Sequence, residues 1–315
     1  LMRPLFNVSG ACSLAFALGF IGGYPTGAKT AIAIYEKGLC TKTEGERLLS
    51  FCNNSGPAFI LGVVGAGVFS SSKAGILLYL AHALASILVG IVFRFYGRSR
   101  PNSVSRSSES QIETVKLSEA FTKSVSGSFS SILNICAFVI FFSVTIRLMY
   151  LFGIIPSIAR FLGTLTEGIG GSAEKVELLL TGIIEISSGV WTLRDAAASM
   201  RSQLVMAAFM MGWAGISVHC QVLTFIGGSG LSTRTYIGGK MLHAVLSAIL
   251  TYFLSGLFKF EAPVASYLVE QLDGIFTLNF ASSLKMSLTV SVVLTVAMFM
   301  FYMSRILIYA PKKRK

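Results

Sequence analysis

The chain has 315 residues, 53% of them hydrophobic and 13% charged, with a mean hydropathy of +0.72. Soluble domains carry about 25% charged residues, so these figures describe a membrane protein in bulk and exclude a soluble domain on a single anchor. The formal net charge of +12 does not signal nucleic acid, because the basic residues gather at span ends and in one loop, where membrane orientation puts them.

The chain opens at Leu1 and is apolar within five residues, which implies further native N-terminal sequence; a cleaved signal peptide does not fit, because this stretch runs straight into the first motif. Residues 5–38 read as two short apolar arms around Gly22-Gly23-Tyr24-Pro25-Thr26-Gly27. Neither arm reaches the about 20 residues that a crossing needs, so the segment is expected to be a re-entrant hairpin. Glycines and a proline stop one helix there, and Thr26 is suited to cap the next, opening at Gly27. The Gly-x-x-x-x-Gly pattern resembles a phosphate-binding loop only at a glance, since Ala28 separates Gly27 from Lys29 and no strand precedes it.

Residues 48–70 reach span length only if Asn53-Asn54-Ser55-Gly56-Pro57 is tolerated inside them. Pro57 removes a backbone hydrogen bond and frees the Asn53 carbonyl, while Asn53, Asn54 and Ser55 offer side-chain donors and acceptors. The competing reading is that these polar groups hold helices together. A span at 74–95 follows, then a Ser-rich basic loop at 96–123, a span at 134–155 within a connecting segment of 124–172, and a second hairpin at 173–200.

That hairpin turns at Glu185-Ile186-Ser187-Ser188-Gly189. A carboxylate at membrane depth is a functional hypothesis by default, here a proton carrier, a cation ligand or a solute contact. The alternative is a structural bridge from Glu185 to Arg194 or Arg201. Residues 203–227 form a second broken span at Gly215-Ile216-Ser217-Val218-His219, where an extended backbone would align Ser217, His219 and Gln221 on one side. Spans at 235–258 and 286–304 close the chain, separated by an acidic stretch at 261–273. His82, Arg147, Lys240 and His243 also lie in apolar stretches; Arg147 and Lys240 read as snorkelling from span ends.

The halves repeat. Without gaps, Thr26 falls on Ser188, Gly27 on Gly189, Ser55 on Ser217 and Gly65 on Gly227, each 162 positions apart. Basic residues place the 96–123 loop and the Lys312–Lys315 tail in the cytoplasm. Hairpin one then enters from that side and hairpin two from the other. The expected fold is an all-α integral membrane inverted-repeat transporter with two re-entrant hairpins and about six spans. Its parts are a first repeat at 1–95, the 96–123 loop, the 124–172 connector with an amphipathic segment, a second repeat at 173–258, and 259–315 with the last span and basic tail. Paired interruptions in corresponding positions of two halves point to a transporter's binding site.

The expected solute-binding residues are Thr26, Gly27, Asn53, Asn54, Ser55, Ser187, Ser188, Gly189, Ser217, His219 and Gln221, with coupling or charge roles for Glu185, Lys29 and Arg194. Five scattered cysteines (Cys12, Cys40, Cys52, Cys136, Cys220) without a C-x-x-C pair give neither a disulfide framework nor a zinc site. No metal, no cofactor and no enzyme motif is expected; the coupling ion and the oligomeric state stay open, a homo-oligomer included.

Gly-Gly-Tyr-Pro-Thr-Gly-Ala-Lys (22–29), Cys-Asn-Asn-Ser-Gly-Pro-Ala-Phe (52–59) and Trp-Ala-Gly-Ile-Ser-Val-His-Cys-Gln (213–221) together resemble the sporulation integral membrane protein family YlbJ, also called SpoVV, which carries a nucleoside-recognition or Gate domain. A more distant similarity is to concentrative nucleoside transporters, whose sodium and nucleoside motifs are not reproduced here residue for residue. The resemblance implies a protein of the outer forespore membrane that moves dipicolinic acid towards the developing spore, with its C-terminus cytoplasmic. Half-helix N-termini at Gly27 and Gly189 would each suit one carboxylate of that dianion. The rival readings are a transporter of nucleosides or related heterocycles, and a membrane scaffold or sensor that recruits partners through the basic loop.

Overall fold

The computed structural model describes residues 2–97 and 116–258, all of whose regular elements are helical. Helices α1 (Met2–Phe6), α2 (Ser13–Gly22) and α3 (Thr26–Glu36) precede α4 (Lys42–Phe51), an irregular stretch at 52–56 and a π-helix (Ala58–Val68). Then come α5 (Ser72–Phe93), α6 (Leu117–Leu151), α7 (Ile154–Thr166), α8 (Ala173–Ile184) and α9 (Ile186–Thr192). The last three described helices are α10 (Met200–Trp213), α11 (Gly215–Ile226) and α12 (Thr233–Ser255).

Local chemistry fixes most of these boundaries. Thr41 and Glu44 form a reciprocal capping box at the start of α4, and the hydroxyls of Ser71, Ser172, Ser199 and Ser232 cap α5, α8, α10 and α12. Each such cap satisfies a backbone N–H that the helix leaves open and is worth about 1 kcal/mol. Left-handed Gly153 separates α6 from α7.

Four helical stretches among the described residues are long and apolar enough to cross a membrane: Ser72–Phe93, Leu117–Leu151, Met200–Ile226 and Thr233–Ser255. The broken span expected at 48–70 is interrupted at 53–56, which carry no helix assignment, between α4 and the π-helix. The expected span at 286–304, the acidic 261–273 stretch, the basic tail and most of the 96–123 loop lie outside the described residues. The loop's last residues, 117–123, already belong to α6. At 1.5 Å per residue α6 is about 50 Å long, more than the about 30 Å of hydrocarbon it crosses. Its polar start fits that excess, carrying an exposed Lys123–Glu119 pair at 2.8 Å.

The two halves repeat in structure as well as in sequence. Hairpin α2–α3, broken helix α4–π and helix α5 correspond to hairpin α8–α9, broken helix α10–α11 and helix α12. The caps Ser71 and Ser232 stand 161 positions apart, and so do His82 on α5 and His243 on α12. Contacts between halves are exchanged accordingly: α4 packs on α12 and α10 on α5, while α3 packs on α11 and α9 on the π-helix. At the centre the rings of His82 and His243 lie 4.3 Å apart, and His243 Nε2 is 3.0 Å from the His82 carbonyl oxygen. A further tie joins the halves at one end, where buried Glu46 of α4 accepts from the Ser232 N–H at 2.9 Å and from the Tyr96 hydroxyl at 3.0 Å.

Glycine lets the hairpin arms close. A Cβ on Gly19 or Gly27 would run into the carbonyl of Cys52, and one on Gly189 would run into the backbone of Gly182 in the opposite arm. Gly27 and Gly189, paired by the repeat, therefore serve the same purpose: each lets two helices cross at backbone contact.

Candidate functional site

The tips of both hairpins and both interrupted helices converge on one cavity of about 230 Å³. Hairpin one contributes Gly22–Tyr24, the first break Ser55 and Gly56, hairpin two Glu185–Ser187, and α11 Ser217 and Gln221; Ile135 and Val139 of α6 form an apolar wall. Ligand sites of this kind set a few convergent polar groups in an apolar surround.

Three of the nine buried side-chain atoms without a partner among the described residues belong to residues that line the cavity. Tyr24 Oη, Ser55 Oγ and Ser217 Oγ are buried without a hydrogen-bond partner among the described residues. Buried polar groups are normally paired, because an unmade hydrogen bond costs about 1–3 kcal/mol. Three idle hydroxyls around one small cavity are acceptors and donors available to a solute.

Of the residues expected from sequence, Ser55, Ser187, Ser217, Gln221 and Glu185 line the cavity, and the others do other work. Thr26 is not a cap: Pro25 holds the N-cap position, and the turn from the Gly23 carbonyl to the Thr26 N–H (3.0 Å) starts the helix one residue early. Gly27 and Gly189 are packing surfaces, as above. Ser188 Oγ faces Ser143 of α6 at 3.2 Å. Asn54 donates to the Phe51 carbonyl of α4 at 3.0 Å and to Ser86 Oγ of α5 at 3.1 Å, while its Oδ1 is buried without a partner among the described residues.

His219 is placed by a correction to the second break. The chain there is not extended: α11 is helical from Gly215, and the interruption is confined to Ala214 and Gly215, with φ of 79° and 82°. On a helix Ser217 and Gln221, four apart, share the cavity face while His219 turns away. Its Nδ1 meets the Tyr236 hydroxyl at 2.9 Å, and its ring stands edge-on to Trp213.

Glu185 takes neither the arginine bridge nor an open carboxylate. It is fully buried and caps α9, accepting the N–H groups of Ser187 at 2.9 Å and Ser188 at 2.7 Å. The chain's own carboxyl group thus fills the helix end that was expected to receive a solute carboxylate. Arg194 lies over the Trp191 ring at 5.7 Å, and Arg201 donates to the Tyr252 carbonyl at 2.8 Å. Lys29 is exposed with its ammonium 5.8 Å from the Phe225 ring. Neither Lys29 nor Arg194 lines the cavity.

Lys240 is the largest correction. It does not snorkel: 1% of it is exposed, and its Nζ donates to the Asn53 carbonyl at 3.1 Å, the very group that Pro57 frees. Its ammonium also sits 5.6 Å from the centre of the Tyr24 ring. Asn53 Nδ2 in turn reaches the Tyr236 hydroxyl at 3.5 Å, and the Ser55 N–H donates to His82 Nε2 at 3.0 Å. Tyr236, Lys240, His243 and Ser247 are all buried along one stripe of α12. Their spacing of four, three and four residues was the signal that could have found them, since it sets polar groups on a single helix face.

An all-α membrane bundle with paired hairpins, paired broken helices and a polar cavity between them defines an integral membrane protein built from two related halves. Among curated proteins, the chain is similar to the sporulation integral membrane protein YlbJ of Bacillus subtilis (strain 168), with 28% identity over 276 residues. The match covers 80% of this chain and 66% of that protein, so the chain spans about two thirds of the length of its curated relative. No family model matches the chain. No solved structure matches it.

Proposed function

We propose that the protein is a solute transporter working by alternating access, and that its cargo is a small anionic heterocycle, dipicolinic acid, crossing the outer forespore membrane during sporulation. The observation that carries this reading is the cavity at which both hairpin tips and both interrupted helices meet. A site built from the interruptions of two related halves can be exposed to either side as one half rocks against the other. Ser55, Ser187, Ser217, Gln221 and Tyr24 are the contacts proposed for the solute. The likeness to a sporulation membrane protein supports the setting, and the Gate-domain character belongs to the same proposal.

A second reading has a specific observation in its favour. The cavity wall carries hydroxyls, an amide and one carboxylate but no cationic side chain, which suits a neutral heterocycle such as a nucleoside. Uptake of radiolabelled dipicolinate into proteoliposomes of the full-length protein, with nucleosides as competitors, separates the two. Saturable uptake that nucleosides do not inhibit is expected. Inhibition by nucleosides moves the second reading forward, and no uptake of either under any ion gradient overturns transport and returns the scaffold reading.

A further inference from the structure

Lys240 has no counter-charge. Among the described residues no carboxylate makes an ion pair with it; its partners are one neutral carbonyl and one aromatic face. The titratable groups brought against it are phenols, imidazoles and a thiol, while the Glu185 carboxyl stands on the cavity wall beside Tyr24 and makes no ion pair with the lysine. Its own helix α12 brings Tyr236 and His243, α5 brings His82, α11 brings His219, α4 ends at Cys52, and hairpin one brings Tyr24. The charged residue of α10, Arg201, is committed to Tyr252 at the opposite end of α12. Taking an ammonium out of water is repaid only by excellent pairing, and one carbonyl with one ring leaves much of that cost uncompensated.

Two events relieve this. One is loss of the proton, and the other is arrival of a negative charge nearby. Tyr24 joins the two places: the lysine stands over one face of its ring, and the same residue lines the cavity. An anion in the cavity therefore stabilises the charged lysine, and by reciprocity the charged lysine tightens the anion.

We propose that Lys240 is a proton-binding site coupled to the cavity. Its Nζ lone pair takes a proton from water when an anionic solute enters from one side, forming the ammonium. The N–H bond breaks again and returns the proton to water when the solute leaves on the other side. Anion and proton travel together, and the cation that such a broken helix would otherwise have to recruit is supplied by the chain. The inference rests on the transport reading above and adds the ion that drives it.

The test uses purified full-length protein in weakly buffered detergent solution with a pH indicator and dipicolinate as the probe. Wild type is expected to take up one proton per solute bound, and to bind more tightly as the pH falls. K240R, charged throughout, is expected to bind without proton uptake, and K240M to bind about tenfold more weakly, within the range usual for coupled sites. Gel filtration of both variants verifies that they fold. Binding by wild type without proton uptake, or unchanged uptake in K240R, overturns the proposal. If wild type binds no dipicolinate, the transport reading of the cargo fails separately. Lys240 is then judged by its 15N NMR titration, assigned by its loss in K240R. A signal that titrates over the pH range of the binding measurements sustains a proton site, and one that stays protonated throughout that range overturns it.

Discussion

His219 Nδ1 and the Tyr236 hydroxyl lie 2.9 Å apart, a bond that joins the second broken helix to α12. The same hydroxyl is within 3.5 Å of Asn53 Nδ2 in the first break, so one oxygen serves both halves. Tyr236→Phe keeps the ring and removes that oxygen, leaving buried groups on His219 and Asn53 unpaired. A loss of about 1–3 kcal/mol is expected, read as a lower unfolding midpoint in detergent. An unchanged midpoint would mean that the contact contributes nothing to holding the halves together.

Gly27→Ala and Gly189→Ala should behave alike, because each adds a Cβ where the backbone of another element already stands. Overpacking at such crossings costs about 1–3 kcal/mol. Both variants are expected to lose monodisperse protein in size-exclusion chromatography. If instead they accumulate normally and only solute binding suffers, these glycines line the site after all.

Glu185→Ala removes the carboxylate that receives the Ser187 and Ser188 N–H groups, and a cap of this kind is worth about 0.5–2 kcal/mol. Glu185→Gln keeps an acceptor oxygen without the charge and should recover part of that loss. Equal midpoints for the two variants would show that charge, and not hydrogen bonding, secures the tip of hairpin two.

Ser55→Ala and Ser217→Ala delete idle hydroxyls in the cavity wall, so neither should lower stability by more than about 0.5 kcal/mol. Both are expected to raise the half-saturating solute concentration severalfold in proteoliposome uptake. Thr26→Ala and Ser188→Ala, whose side chains lie outside the cavity lining, should transport normally. The opposite pattern, with the hairpin tips sensitive and the breaks indifferent, would move the binding site.

Period, composition and the 162-residue echo made the helical membrane character and the two interruptions readable before any coordinates. What the sequence concealed was direction. Pro57 announces a free carbonyl at Asn53, but nothing within 48–70 says that a lysine 187 positions away takes it. Ser217, His219 and Gln221 read as one polar cluster until the kink is found to occupy only Ala214 and Gly215. A helix then divides them between two faces. Glu185 looked like chemistry because carboxylates are rare at that depth; its neighbours' backbone N–H groups, invisible in a list of side chains, account for it.

The unlike hairpin tips carry a consequence for the order in which the site forms. Hairpin two holds its turn with its own carboxyl group, which accepts the Ser187 and Ser188 N–H groups. The start of α3 has no side-chain cap, so the turn at Gly23–Pro25 lacks that restraint. Fixing a residue's backbone costs about 1–2 kcal/mol of entropy. If the proposed site closes around a solute, that entropic cost falls mainly on hairpin one.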